Sequence, residues 1–230
     1  MHFQHASDLW QDFPQLVPGV ILARGITADV SVDRPVAAFG AAAAERLAGT
    51  QESGLPEVQA WRRAFAAMSL KPTQYRCASE SLLRRFRKEG SLPRIHPLID
   101  LCNAASIAYG IPVGVFDLPL ISGDLEVRYA DGDEVYETFG GAEEHPDPRE
   151  VIFADDARRA HARRWTNRQS GYSAVRDTTS DVLIVVEALH ESAPADVAKL
   201  MDALTAELRT VWGVETTSAV LSRSARRFAC

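Results

Sequence analysis

A run of polar and aromatic side chains at residues 164–172 is the segment of the chain best suited to binding a ligand. The run holds Arg164, Trp165, Thr166, Asn167, Arg168, Gln169, Ser170, Gly171 and Tyr172. Arginine and amide side chains together can orient a small polar ligand, because they offer hydrogen bonds of defined geometry. A hydrated surface loop has a similar composition, so the pattern alone leaves both interpretations open.

Two clusters of basic residues indicate a second kind of chemistry, the binding of phosphate. Residues 76–94 hold six basic and two acidic side chains, and residues 158–168 hold five arginines and no acid. A planar guanidinium fits a phosphate and stacks on bases, and Trp165 and Tyr172 offer further stacking faces. The candidate RNA-binding residues are Arg84, Arg85, Arg87, Lys88, Arg158, Arg159 and Arg163. The alternative is a solvated helix surface whose charges pair weakly with acidic neighbours.

Familiar catalytic and cofactor motifs are absent. The chain has no P-loop, no dinucleotide-binding glycine motif, no serine-hydrolase elbow and no HExxH segment. Its six histidines are scattered, and its three cysteines form no CxxC pair. We therefore expect no metal and no cofactor. The odd number of cysteines, with no visible signal peptide and no apolar segment of about 20 residues, predicts a cytoplasmic protein without a membrane span.

Hydrophobic spacing predicts the elements that must position these residues. Helices are predicted at residues 35–48, 58–68, 79–88, 97–109 and 197–212. Strands are predicted at residues 20–22, 151–153, 182–186 and 214–221. A β-hairpin is predicted to join residues 125–129 to residues 135–139 across the Asp131-Gly132 turn. A block of helices, then strands, then a helix favours an α+β fold, and the 230 residues fit one domain.

The net charge of −6 is unevenly distributed along the chain. Taken as a mean, it argues against nucleic-acid binding, since domains with that function are usually basic. However, residues 117–150 alone hold eleven acidic and two basic side chains. We therefore expect any nucleic acid on the arginine-rich side, with the acidic block facing away.

Several segments, in order along the chain, resemble one known family. They are PTQYR (72–76), SESL (79–82), RIHPLIDLCN (94–103), IPVGVFD (111–117), ISGDLEVRYA (121–130), GDE (132–134) and RRWTNRQ (163–169). Together they resemble stand-alone relatives of the B3/B4 (tRNA-binding, editing) domain of the bacterial phenylalanyl-tRNA synthetase β subunit. The resemblance covers residues 61–212, and we expect residues 1–60 to be an N-terminal extension packed on that region.

The resemblance implies an α+β fold with a β-sandwich-like mixed sheet core and flanking helices. It also implies a site that hydrolyses the ester of a wrongly attached amino acid on the 3′ end of a tRNA, without a metal. Two departures stand out: Gly114 occupies the position of a pocket histidine, and the acidic residue of a later pocket loop has no clear counterpart beyond nearby Gln169 or Ser170. The candidate pocket residues are His96, Asn103, Gly114, Arg164, Asn167, Arg168, Gln169 and Tyr172.

Three functions remain open from the sequence. The first is a trans-editing hydrolase (a deacylase) acting on a mischarged aminoacyl-tRNA. The second is a non-catalytic module that binds tRNA or another RNA. The third is a binder of amino-acid-like small molecules on the same fold, because a fold does not determine a function.

Overall fold

The computed structural model describes residues 1–230 as twelve strands and six α-helices. The strands are β1 (His2–His5), β2 (Val17–Arg24), β3 (Val113–Asp117), β4 (Leu125–Tyr129), β5 (Tyr136–Glu137), β6 (Glu143–Glu144), β7 (Val151–Asp155), β8 (Ala160–Arg163), β9 (Arg168–Gln169), β10 (Asp181–Ala188), β11 (Thr216–Val220) and β12 (Arg227–Ala229). The helices are α1 (Ser7–Asp12), α2 (Asp33–Leu47), α3 (Pro56–Ala67), α4 (Ala78–Glu89), α5 (Pro97–Tyr109) and α6 (Ala193–Trp212).

Two sheets make up the centre of the molecule. A six-stranded sheet has the order β12-β1-β4-β7-β8-β9, and a four-stranded sheet has the order β11-β2-β10-β3. The first sheet is mixed because β1 runs parallel to β4, whereas the other neighbouring strands in both sheets are antiparallel. The short strands β5 and β6 form a separate ribbon. The expectation of an α+β fold with a mixed sheet core is confirmed.

Strand β10 separates two hydrophobic cores. Leu183 and Val185 face the core between the two sheets, which they share with Phe3 and Phe153 of the six-stranded sheet. The alternate residues of β10, including Ile184, face a second core formed with α5 and α6. Because successive side chains of a strand point to opposite faces, a strand covered on both faces must be apolar throughout. This accounts for the uninterrupted apolar run at residues 182–186.

Helices α4 and α5 begin and end at residues suited to those positions. In α5, His96 accepts a hydrogen bond from the Leu98 N–H through Nδ1 (3.2 Å) and so caps the first turn. Gly90 and Gly110 end α4 and α5 with φ of 76° and 71°, a left-handed conformation that favours glycine. The five predicted helices are therefore confirmed within a few residues. None of the helices has the combination of length and hydropathy that crossing a membrane requires.

The predicted β-hairpin is wrong. Residues 125–129 form β4, but β4 pairs with β1 and β7, and Tyr136–Glu137 pairs with Glu143–Glu144 instead. The Asp131-Gly132 turn does exist, with φ of 106° at Gly132. The buried Glu134 carboxylate accepts hydrogen bonds from the N–H groups of Asp131 and Gly132. This local loop takes the place of the hydrogen-bond ladder that period-two spacing predicts.

Residues 1–60 take part in both central sheets. They contribute β1 to the six-stranded sheet and β2 to the four-stranded sheet, and both strands have neighbours on either side. The C-terminal strand β12 completes this arrangement, because His2 lies opposite Ala229. Both ends of the chain are therefore hydrogen-bonded into one sheet.

Candidate functional site

A small cleft, with a cavity volume of about 70 Å³, opens between β3, the start of α4 and the turn from β8 to β9. Half of its lining residues are hydrophobic, and the remainder are polar, charged, glycine or proline. The lining residues are Ala78, Pro112, Val113, Gly114, Phe116, Phe153, Ala162, Trp165, Thr166, Asn167, Arg168, Gln169, Val185 and Glu187. An apolar cavity with a few converging polar groups is the usual form of a small-ligand site.

A strained turn carries residues 166–169 to this cavity. Arg164 and Trp165 have φ of 48° and 55°, a left-handed conformation that costs roughly 1–2 kcal/mol for a residue with a side chain. The turn is held because the Trp165 ring is fully buried, at 5.0 Å from Trp61 and 4.9 Å from Phe13 in edge-to-face contacts. The backbone N–H of Trp165 also donates a hydrogen bond to the Val151 carbonyl, at 2.7 Å. The polar segment is thus a positioned part of the fold rather than a hydrated loop.

Glu187, near the end of β10, places a buried carboxylate at the cavity. Its Oε1 accepts hydrogen bonds from His5 Nε2 (2.6 Å) and Trp165 Nε1 (2.8 Å). Its Oε2 has no protein partner and is not sealed from the cavity. His5 and Trp165 compensate Oε1, and Oε2 is left to accept from a ligand donor, for which a positively charged group is the complementary partner.

Polar side chains at the rim of the cavity are anchored to the backbone. Asn167 Nδ2 donates to the Arg76 carbonyl (2.7 Å), and Gln169 Nε2 donates to the Val115 carbonyl. The Thr166 hydroxyl is buried without a hydrogen-bond partner. The exposed Arg168 guanidinium lies 3.3 Å from Glu144. These contacts fix the amide side chains in place, and they leave the amide oxygens and the Arg168 guanidinium as hydrogen-bonding groups at the rim.

Gly114 keeps the cavity open. A Cβ atom at this position would lie 3.3 Å from the Phe116 ring, which is closer than an ordinary van der Waals contact. Any side chain here would therefore press on Phe116 and project into the space that the cavity occupies. Glycine at this position therefore leaves more space in the cavity, but it supplies no side-chain functional group.

The predicted pocket residues divide into two groups. Gly114, Asn167, Arg168 and Gln169 line the cavity. The residues that do not line it are His96, Asn103, Arg164 and Tyr172. His96 caps α5, the Arg164 guanidinium lies 4.8 Å from the Tyr75 ring, and the Tyr172 ring contacts Arg159 at 4.0 Å.

Glu187 is the residue that sequence reasoning missed, since no acidic counterpart was found for the pocket. The detectable signal was a charged residue directly after the apolar run 182–186, near the end of a buried strand. Such a residue is rarely buried unless it has a partner or a function.

The predicted RNA-binding residues differ in whether their positive charges are exposed to solvent or already engaged by other protein groups. Arg84, Arg85 and Lys88 are exposed on α4, and Arg85 makes only a surface pair with Glu89. The other candidates engage protein groups: Arg87 pairs with Glu52, Arg158 pairs with Asp131 and Asp133, and Arg159 stacks on Tyr172. Arg163 is buried between Glu144 and Glu150, so it presents no free charge at the surface.

A serine, a histidine and an aspartate form a chain away from the cavity. Ser173 Oγ lies 2.8 Å from His161 Nδ1, and His161 Nε2 lies 3.2 Å from Asp155 Oδ2. Burial alone would raise the pKa of Asp155, but its contact with His161 and hydrogen bonds from the N–H groups of Arg159 and Ser122 lower it. Ser173 and His161 are fully buried and line no cavity, so a substrate has no access to them. We assign this Ser173–His161–Asp155 network a role in stabilising the fold.

Comparison with known proteins points to a single family. The family model of the B3/4 domain matches residues 60–210. The chain is 28% identical over 115 residues to the phenylalanine–tRNA ligase beta subunit of Shewanella oneidensis, covering 50% of this chain and 14% of that protein. It is 31% identical over 68 residues to the corresponding subunit of Legionella pneumophila, covering 30% of this chain and 9% of that protein. The chain therefore spans a small part of these relatives.

A solved structure shows the same fold. It is the crystal structure of an N-terminal fragment of the phenylalanyl-tRNA synthetase beta-subunit from Pyrococcus horikoshii, with a TM-score of 0.51 and 10% sequence identity. The match covers 96% of this chain and 54% of that chain. At this identity the likeness concerns the fold alone.

Proposed function

The chain belongs to the B3/4 domain family, and from this premise we propose that it binds tRNA and hydrolyses the ester between a tRNA 3′ end and a wrongly attached amino acid. The observation that carries the proposal is the Glu187 carboxylate, buried at a half-apolar cavity with one oxygen free of hydrogen bonds. The α-ammonium group of an aminoacyl ester is the complementary charge. The apolar walls suit the amino-acid side chain, and the cavity mouth leaves the nucleic acid outside.

The exposed bases of α4 support binding of the polynucleotide. Helix α4 begins at Ala78, whose N–H donates to the Thr166 carbonyl beside the cavity. Arg84 and Lys88 follow six and ten residues later, so they lie roughly 9–15 Å from the cavity along the helix axis. Phosphates of a single-stranded 3′ end can reach these side chains while the terminal ester enters the cavity.

The proposed reaction requires positioning more than a strong base. A water molecule adds to the ester carbonyl carbon, the bond to the ribose oxygen breaks, and the water's protons end on that oxygen and on the product carboxylate or solvent. The ester is already activated, so holding the water and stabilising the oxyanion supply most of the acceleration. Arg168, at the rim, is the cavity-lining side chain with exposed N–H donors for the oxyanion, while Glu187 binds the ammonium group.

A deacylation screen tests this proposal. Purified protein is mixed with a panel of correctly and wrongly charged aminoacyl-tRNAs, and the release of amino acid is followed at neutral pH. We expect turnover above the uncatalysed rate for a subset of the wrongly charged tRNAs, and loss of most of that turnover when Glu187 is changed to Gln. Absence of turnover across the whole panel would contradict hydrolysis.

A tRNA-binding module without catalysis is the second candidate, and Gly114 favours it. This position, which a histidine occupies in the synthetase domains that the chain resembles, carries no functional group here. Under this alternative, tRNA affinity falls steeply with salt concentration while no aminoacyl ester is cleaved. Binding measurements on the same tRNA panel therefore separate the two candidates.

A further inference from the structure

A second cluster of ionisable side chains lies outside the cavity, where the first turns of α3 and α6 approach the loop after β10. It consists of Glu57, His190 and Asp196, and one ligand atom from each lies within 4.8 Å of the other two. His190 Nε2 is 3.1 Å from Asp196 Oδ2. Glu57 and His190 are buried, whereas Asp196 is one-quarter exposed and connects the cluster to solvent.

Two atoms in this cluster lack the partners that buried polar atoms normally have. Glu57 Oε2 and His190 Nδ1 are both buried without a hydrogen bond. A carboxylate oxygen and an imidazole nitrogen are each costly to bury unpaired. The cluster as it stands therefore holds two unsatisfied polar atoms.

The neighbouring cations leave one oxygen of each carboxylate for the cluster. Arg46 Nη2 lies 2.7 Å from Glu57 Oε1, and Lys199 Nζ lies 3.7 Å from Asp196 Oδ1. Of the other two oxygens, Glu57 Oε2 has no partner, whereas Asp196 Oδ2 accepts from the Ser192 hydroxyl (2.6 Å) and lies 3.1 Å from His190 Nε2. A carboxylate in the first turn of a helix also offsets the helix dipole. That role accounts for Asp196, but it leaves Glu57 Oε2 without a partner.

We propose that Glu57, His190 and Asp196 form a binding site for one divalent transition-metal ion, of which Zn²⁺ is the best match. One imidazole nitrogen and two carboxylate oxygens are a donor set that Zn²⁺ accepts, with water completing the coordination. Ligand atoms around tetrahedral zinc lie about 3.3 Å apart, so the three ligand atoms, which lie within 4.8 Å of one another, must move together by up to about 1.5 Å on binding. The contact of Arg46 with Glu57 orients that ligand from outside, as second-shell groups commonly do.

The state of His190 is compatible with this role. Its Nε2 lies 3.1 Å from Asp196 Oδ2, and its Nδ1 makes no hydrogen bond. With the ion bound, the neutral ring would carry its proton on Nδ1 and offer the Nε2 lone pair to the metal in place of the contact with Asp196. The ion would then link α3 to α6. Sequence spacing indicates no such site, because the ligands lie far apart along the chain.

Metal titration of the full chain tests the proposal. Metal-stripped protein is titrated separately with Zn²⁺, Mn²⁺ and Mg²⁺ by calorimetry, and its thermal denaturation is recorded with and without each ion. We expect one Zn²⁺ per chain, a raised melting temperature, and weaker binding of Mg²⁺. Glu57→Gln and His190→Gln should each lower the Zn²⁺ affinity by at least about tenfold. The control is His2→Gln, which removes the histidine of the exposed pair with Asp124 and should leave the affinity unchanged.

Direct spectroscopy keeps the test independent of variant stability. Co²⁺ bound to the intact protein should give visible absorption bands that Glu57→Gln removes. If circular dichroism shows that one of these variants does not fold, Asp196→Asn, at a partly exposed position, is used in its place. Absence of stoichiometric Zn²⁺ binding, equal binding by the ligand variants, or tighter binding of Mg²⁺ than of Zn²⁺ would each overturn the proposal.

Discussion

The role of Glu187 can be isolated by replacing it with glutamine. The glutamine Oε1 can still accept from His5 Nε2 and Trp165 Nε1, which now hold Glu187 at 2.6 and 2.8 Å. The substitution therefore keeps the two anchoring hydrogen bonds and removes the negative charge that faces the cavity. We expect the stability to change by no more than about 1 kcal/mol, because no partner loses its acceptor.

The effect on a charged substrate should be much larger. A hydrogen bond to a charged group contributes about 1.5–3 kcal/mol, so losing the ammonium–carboxylate contact should lower kcat/KM by roughly ten- to a hundredfold. The assay is deacylation of whichever aminoacyl-tRNA the intact protein hydrolyses. The same tRNA carrying an N-acetylated amino acid provides an internal comparison, since it has no ammonium group.

The two substrates distinguish charge recognition from general damage. The unaltered protein should cleave the N-acetylated ester slowly, and Glu187→Gln should lose most of this discrimination. Glu143→Gln, which neutralises an exposed carboxylate on β6, is the matched control and should behave like the unaltered protein. Equal kcat/KM for Glu187→Gln and the unaltered protein on the free-amine ester would refute the assignment of Glu187.

Three further predictions concern the cavity, the basic surface and the effect of acid. Gly114→Val should abolish deacylation and destabilise the protein by about 1–3 kcal/mol, measured by denaturant unfolding, because the side chain overfills the cavity against Phe116. Charge reversal of Arg84 and Arg85 together should weaken tRNA binding and reduce the slope of log affinity against log salt by about one unit per lost phosphate contact. Acid should destabilise the fold as pH falls below the ordinary pKa values of Glu134 (4.5) and Asp155 (3.8). Burial would raise the pKa of both carboxyls, but the hydrogen bonds and charge contacts of each carboxylate lower its pKa in the folded protein. The two carboxylates therefore contribute their full stabilisation above the ordinary pKa values, and this stabilisation is lost as the pH falls towards the lower pKa values of the folded state.

Each of these predictions has a control in the chain. Gly49→Val adds the same side chain where no atom lies within 4 Å, so it should retain activity. Arg209→Glu reverses a charge on α6, away from the proposed surface, and should leave tRNA affinity unchanged. Glu134→Gln should flatten part of the acid dependence. A Gly114→Val protein with full activity, a charge reversal without effect on the salt slope, or constant stability down to acidic pH would contradict the respective arguments.

The sequence predicts the elements whose burial pattern is continuous. The run at residues 182–186 is apolar because β10 has a core on each face, and the spacing in α6 follows its single buried face. Strands β1 and β12 are short, and they pair with each other although they lie at opposite ends of the sequence. No local residue pattern therefore predicts them. The hairpin prediction failed for a related reason, since a buried carboxylate, Glu134, organises the turn after β4 through its own hydrogen bonds.

The part of the candidate site that lies in one continuous segment can be predicted from the sequence. The part that forms only when distant segments come together cannot. Residues 167–169 form one segment, and their composition was sufficient to select them. Glu187 depends on His5 from β1 and on Trp165 from the strained turn, and only the folded chain brings the three together. The cost of burying this carboxylate is met by donors from two other elements. A residue that needs such support is recognisable from the sequence only as an exception within a buried strand.

The electrostatics of the cavity also bear on how the proposed reaction would end. The neutral ester of the substrate enters with a single positive charge, which Glu187 complements. Hydrolysis turns the ester into a carboxylate, and this new negative charge lies in a cavity that already contains Glu187. The nearest exposed cation at the rim, Arg168, is shared with Glu144 at 3.3 Å and is only partly available to the product. Repulsion in a poorly solvated space therefore favours release of the amino acid, so the same buried charge that selects the substrate disfavours retention of the product.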